Sequence, residues 1–258
     1  MTIRFSSGLR NFLNEGSSLK QAFAGGRLQI RSGAQPSSAN DAAAGTLLAT
    51  ITLSSGAHTA EVSSVGSVEL TGGASGSVDT LTVNSLEIMG SATPFNTTLA
   101  QTAIDVATKI NDNPKNMLFK ASAVGDDIFI TAKPGLGTFP NTWVVASTVT
   151  TITKTDNDMA GGVNSVNGLR FNDSVAGVLS KIATDVWSGL GVSDGTAGHF
   201  RFLGSVADAG SSDSSEVFLR IDGSIATSGA DLNMTNTNIV TSATQTISTA
   251  TITVPASV

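Results

Sequence analysis

The stretch "LRIDGSIATSGADLNM", Leu219–Met234, decides how the chain is read. Asp222, Asp231 and Asn233 supply oxygens and Gly223 and Gly229 supply backbone freedom, so the set could form a cation-binding loop. The same letters spell a strand, a turn and a second strand. Leu219, Ile221 and Ile225 keep one face, Gly223 leaves a gap or bulge, "TSGAD" turns the chain, and Leu232 and Met234 open the next strand. On that reading the stretch is a hairpin, and Asp222, Asp231 and Asn233 are turn-forming, solvated side chains. The rest of the sequence favours it.

The 258 residues suffice for one large or two modest domains. Only 13% are charged, against roughly 25% in ordinary soluble proteins, and Ser, Thr, Ala and Gly supply much of the remainder. Val, Ile, Leu and Phe recur periodically, which a disordered composition does not show. A net charge of −6, with Arg and Lys scattered, argues against a nucleic-acid partner. With no cysteine there is no disulfide, thiolate nucleophile or cysteine metal site. No apolar run is long enough for a membrane-spanning helix. "MTIRFSSGLRNFLNEG" lacks the apolar core and cleavage site of a secretion signal, so synthesis in a cytoplasm without a membrane partner is expected.

Residues 1–25 read as short amphipathic helical turns, with Leu9, Phe12 and Leu13 on one face and Leu19 and Phe23 in another patch. Strands follow in "GGRLQIRSG", "TLLATITLSSG" and "AEVSSVGSVEL". Glycine pairs 72–73 and 161–162 then frame a ββαβββ module over residues 73–161, inserted into a host of residues 1–71 and 162–258. Inside the module, "VDTLTVNSLEIMG" is a hairpin around Asn84-Ser85. "TTLAQTAIDVATKIND" is a helix capped by Thr97 or Thr98, with Leu99, Ala103, Val106, Ala107 and Ile110 on one face and Asp105–Lys109 as an ion pair. "LFKASAVGDDIFITAKP" is a second hairpin, and "WVVASTVTTITKT" a closing strand. In the resumed host, "DSVAGVLSKIATDVW" places Val175, Val178, Leu179, Ile182 and Val186 on one helical face. Strands are then expected at Phe200–Leu203, Val217–Ile225, Asp231–Val240 and Thr246–Pro255. The fold class is mainly β: a jelly-roll-like β-sandwich host with a short N-terminal helical segment and an inserted domain.

Little of this carries chemistry. His58 and His199 sit at strand ends outside any motif, and nucleophile-elbow, zincin and P-loop patterns are absent. The G-x-G runs in "KPGLGTFPN" and "GLGVSDGTAG" read as turns, because neither joins a strand to a helix. Asp208, Asp213 and Glu216 lie in a polar loop that could hold calcium but lacks EF-hand spacing. Asp126-Asp127 marks a hairpin tip, the three Asn-x-Ser/Thr sequons follow from composition, and Trp143 and Trp187 are core or interface anchors. No catalytic residue, metal or cofactor is expected.

"IRFSSGLRNFLNEGSSLKQAFAGGRLQIRSGAQPSSANDAAAGTLLATITL" resembles the N-termini of structural proteins of tailed bacteriophages, which share G-L-R-N, a helical turn and a strand ending S-G-A-Q-P. "FRFLGSVADAGSSDSSEVFLRIDGSIATSGADLNMTNTNIV" resembles their C-terminal part, and "GSVDTLTVNSLEIMGSATPFNTTLAQTAIDVATKINDN" looks like a module of phage tail and fibre proteins. The resemblance implies a virion component, not an enzyme, similar to capsid decoration (cement) proteins that bind the major capsid protein, often as trimers. A tail tube, adaptor or baseplate and receptor-binding component is the alternative. A virion-borne glycan hydrolase or a cell-binding adhesin are rival classes. Other virion proteins are thus the expected partners of a homo-oligomer, with Phe5, Leu9, Phe12, Leu13, Leu19 and Phe23 as candidate interface residues.

Overall fold

Serine caps set the N-terminal helices. Ser6 Oγ accepts the Leu9 amide and Ser18 Oγ the Gln21 amide, satisfying donors that a first helical turn leaves free. The structure, a computed structural model, describes residues 3–253. It opens with β1 (Arg4–Phe5), α1 (Ser7–Asn14), α2 (Leu19–Phe23), β2 (Arg27–Ser32) and β3 (Leu47–Ile51). Next come β4 (Val65–Gly72), β5 (Ser77–Val83), β6 (Leu86–Glu87), β7 (Thr93–Pro94), α3 (Leu99–Asp112), β8 (Phe119–Val124), β9 (Asp127–Ala132), β10 (Val145–Thr150) and β11 (Thr153–Ala160). Then follow β12 (Val178–Ser180), β13 (Trp187–Leu190), β14 (Gly195–Leu203), β15 (Arg220–Ala226), β16 (Leu232–Asn233), β17 (Asn238–Ile239), β18 (Thr244–Ile247) and β19 (Thr251–Thr253). The fold is mainly β. Of the expected strand Thr246–Pro255, Val254 and Pro255 lie outside the described residues.

Two compact units divide the chain: residues 1–61 with 165–258, and residues 62–164. The joints fall outside the glycine pairs because β4 pairs on one side with β9 and on the other with β11, both in the second unit. A strand read from sequence shows its alternation but not its neighbours.

The first unit is built on a sheet of order β1-β15-β14-β2-β3. Register divides its two faces. Leu28, Phe202, Ile221 and Phe5 form one apolar rung, and Ile30, Phe200 and Gly223 another. Gly223 is small for a reason: a Cβ there would come within 2.5 Å of the Phe200 ring. The apolar face packs with Leu9, Phe23, Phe171 and Trp187 in one core. Gly8 lets α1 approach the chain at Phe218, where a Cβ would stand 2.6 Å from the carbonyl oxygen.

The other face is polar and equally buried. Gln29, Arg201, Asp222 and Arg4 share a rung. Arg201 Nε and Nη2 donate to the two Asp222 oxygens at 2.7 Å each, and neither side chain has any exposure. Asp222 is therefore not the solvated turn residue expected; strand pairing brings it opposite Arg201. Arg220 makes a second fork, to Asp208, with both bonds at 2.6 Å. Its remaining donors reach carbonyls of Ala39, Asp41 and Ser211. These charges pin the loop 33–46 and the loop 204–219 onto the sheet.

Two further expectations for this unit change. Leu219–Met234 is no antiparallel hairpin: β16 runs parallel to β15, pairing Ile225 with Leu232. The Asp231 carboxylate accepts both the amide and hydroxyl of Ser224, drawing the loop back along the strand edge. Residues 173–187 form no helix. Ala176 and Gly177, at φ 51° and 78°, make a tight turn closed by Val175 and Val178. Val175 and Val186, which the helical face required inside, are 74% and 62% exposed. Their spacing coincides with a helical period by chance.

The second unit carries sheets β10-β5-β6 and β11-β4-β9-β8, with β7 on β5. Asn84 and Ser85, at φ 49° and 66°, turn the β5–β6 hairpin as its two-residue loop demands. Helix α3, capped by Thr98, buries Ala103, Val106, Ala107 and Ile110. The Asp105–Lys109 pair does not form: Asp105 binds Asn96 and Gln101, and Lys109 donates to the Ala92 carbonyl. The closing segment is two strands, because Thr151 turns at φ 60° between β10 and β11. Side chains occupy strand edges: Asp156 and Asp158 accept the Ser147 and Val145 amides, and Asn111 bonds both backbone groups of Ala121. Edges so occupied resist pairing with foreign strands.

Candidate functional site

The expected interface residues turn inward. Leu9, Phe12, Leu19 and Phe23 are 0–9% exposed in the first unit's own core, with Phe5 and Leu13 partly buried against it. Their apolar content has an account within the chain: a helix before a first strand needs apolar residues to cover its own sheet. The oxygen-rich loop has a similar account. Asp208 is held by Arg220, while Asp213 accepts the Val217 and Phe218 amides. The cation in that loop is a guanidinium. Among the described residues no three His, Cys, Asp or Glu side chains gather as a metal site.

Both histidines are tied to the backbone. His58 Nε2 donates to the Gly25 carbonyl at 2.8 Å, and His199 Nδ1 to Gly33 at 3.1 Å. His199 is fully buried, and its Nε2 finds no partner among the described residues. Burial, the dominant cause, holds both rings below the ordinary histidine range; for His199, Arg31 and Arg201 add to this while Asp222 opposes it. The unfolded chain then binds protons that the folded one resists. The resulting stability is complete above pH about 6.5 and is lost as the pH falls below that value. Urea midpoints of the first unit should drop between pH 7.5 and 5.0, and His199→Gln should flatten that slope. An unchanged slope would count against the account.

A different site emerges in the second unit from a loop that the sequence marks only as turns. After β9 the chain runs through Gly135 and Gly137, both at positive φ, to Phe139, Pro140 and Trp143. Side-chain amides hold this loop rigid. Asn141 bonds both the amide and carbonyl of Gly162 and accepts the Ser64 hydroxyl, and Asn164 accepts the Thr138 amide. Three aromatic rings then lead from core to solvent. Phe119, 1% exposed, meets the Trp143 ring edge-on at 6.3 Å, and Trp143 meets Phe139 at 4.9 Å. Phe139 is 66% exposed and Val144 beside Trp143 is 56% exposed. Such an aromatic, pre-positioned at no cost in loop ordering, has the properties of a binding anchor. One signal for it was readable: in a chain with 5% aromatics, a Phe inside a Gly/Pro turn has no strand or helix face to serve.

The protein is thus mainly β, in two units, and the second unit carries an exposed aromatic ring, Phe139, on a loop pinned by side-chain amides. Comparison with protein-family models, with curated proteins and with solved structures finds no match for the chain.

Proposed function

We propose that the chain is a structural subunit of a tailed-bacteriophage virion, a capsid decoration protein that binds the major capsid lattice as a homo-oligomer. In this reading the first unit is a jelly-roll-like β-sandwich, its seven-stranded sheet opposed by the β12–β19 and β13–β18 pairs. The two terminal segments that resemble phage structural proteins supply neighbouring strands of that sheet, β2 and β3 from one and β14 and β15 from the other. They behave as one folding unit despite the residues between them. The observation that carries a docking role is Phe139, exposed and set edge-on against Trp143 in a pinned loop. Repeated over a symmetric lattice, modest contacts of this kind sum to firm attachment.

Replacing Phe139 with Asp should weaken attachment to capsids lacking the protein by about 30-fold, the scale of a loss of about 2 kcal/mol at an interface anchor. The thermal midpoint of the free protein should hardly move, since the ring is mostly in solvent. Co-sedimentation with purified shells measures the first and a melting curve the second. Equal sedimentation of the Asp variant and the parent would sink the anchor role.

A further inference from the structure

The connection between β2 and β3, "GAQPSSANDAAAGT" at residues 33–46, crosses the polar face of the first unit's sheet as a strap. Apart from Pro36 its apolar side chains are alanines, so little hydrophobic burial holds it down. Charge applied to its carbonyl oxygens does so instead. Arg4 donates to the Pro36 carbonyl at 2.6 Å, Arg201 to that of Asp41 at 3.0 Å, and Arg31 to those of Ala44 at 2.8 Å and Gly45 at 3.2 Å. Gly33 and Gly45, at φ 75° and 62°, stand at the two ends and give the strap its hinges. A segment tied by polar bonds with so little apolar contact opens at a lower free energy than the core beneath it.

His199 holds the strap at its first residue. Its Nδ1 donates to the Gly33 carbonyl, the ring has no exposure, and its Nε2 has no partner among the described residues. A second proton would turn Nε2 into a buried donor without an acceptor. It would also set a cation beside Arg31, the cross-strand neighbour on β2, and near Arg201 on the same strand. The carboxylates around the ring are already engaged. Asp222 on β15 is forked by Arg201, and Asp41 in the strap accepts from Ser37 and Ser38. Asp231 is bound to Ser224, the cross-strand neighbour of His199 on β15.

We propose that His199 is an acid-operated latch: its protonation frees Gly33 and lets the strap 33–46 swing off the polar face while the core stays folded. Opening gives the imidazolium water and uncovers Arg31 and Arg201. The closed strap excludes the proton and the open one binds it at the ordinary histidine value of about 6.5, so closure is favoured above that pH and weakens below it. A ring that titrates only when open raises the open population about 30-fold between pH 7.5 and 5.0. Aspartates and glutamates keep their charge over this range. The inference stands independently of the virion role.

The chain has no cysteine, so Ala39→Cys, at a position the strap buries completely, supplies a single thiol that reports on opening. Its rate of reaction with dithiodipyridine, divided at each pH by that of the urea-unfolded chain, should rise about 30-fold from pH 7.5 to 5.0. Ala22→Cys, buried in the core at α2, should stay unreactive at both pH values. His58→Gln, which leaves His199 as the chain's single histidine, should keep the full response. His199→Gln, whose amide can still donate to Gly33 but takes no proton, should abolish it. In the unaltered chain the Ala43 amide, which donates to the Gly210 carbonyl, should exchange faster by the same factor once the intrinsic effect of pH is removed. A strap thiol indifferent to pH, or a response that survives His199→Gln or vanishes with His58→Gln, would overturn the proposal. Ala22→Cys reacting in step with Ala39→Cys would show unfolding of the whole unit and would overturn it too.

Discussion

Arg201→Met should lower the stability of the first unit by about 3–5 kcal/mol, the cost of leaving a buried charge unpaired. Asp222 would be stranded, for its two oxygens take 2.7 Å bonds from Arg201 and it has no exposure to water. Arg201 also donates to the Asp41 carbonyl at 3.0 Å, so the loop 33–46 would lose an anchor with it. With whole-domain stabilities of about 5–15 kcal/mol, a loss of this size brings the unit close to unfolding at ordinary temperature. The double change Arg201→Met with Asp222→Leu should cost less than either single change, because it leaves no charge uncompensated. Urea denaturation followed through Trp187, in a Trp143→Phe background, measures all three. Three variants with equal, small losses would show that the pair contributes little.

Phe23→Ala should cost a similar amount, about 3–5 kcal/mol. Phe23 has no exposed surface, and its ring meets Phe202 edge-on with centroids 5.0 Å apart. Removing it opens a cavity at the heart of the first unit's core, where backbone on both sides is held by the sheet. This experiment also separates two roles for the N-terminal segment. If these residues serve the chain's own core, the isolated protein melts early. A variant that melts normally but no longer attaches to capsids would return the segment to an intermolecular role.

Local features of the fold were legible where the chemistry is local. Thr98 caps α3 and Asn84-Ser85 turns a hairpin, each readable from a few neighbouring letters. What depends on distant partners was not. Asp222 reads as a turn residue until β15 is set against β14 in the register that faces it with Arg201. The strand "SVEL" is visible at Val68 and Leu70, but its membership of the second unit follows from β9 and β11, which come some sixty to ninety residues later. Val175 and Val186 mimic a helical face because β-branched residues in a short turn-and-strand segment can fall at helical spacing, and Ala176-Gly177 then decides the matter. Phe139 sits in a loop whose G-x-G letters read as an ordinary turn, and its exposure follows only from the fold.

The virion role is tested most directly by electron cryomicroscopy of intact particles carrying an epitope-labelled form of this chain, with a gold-conjugated antibody marking its place. The account predicts label distributed over the surface of the head at regular lattice positions. Label confined to the tail, or particles that carry none, would contradict it.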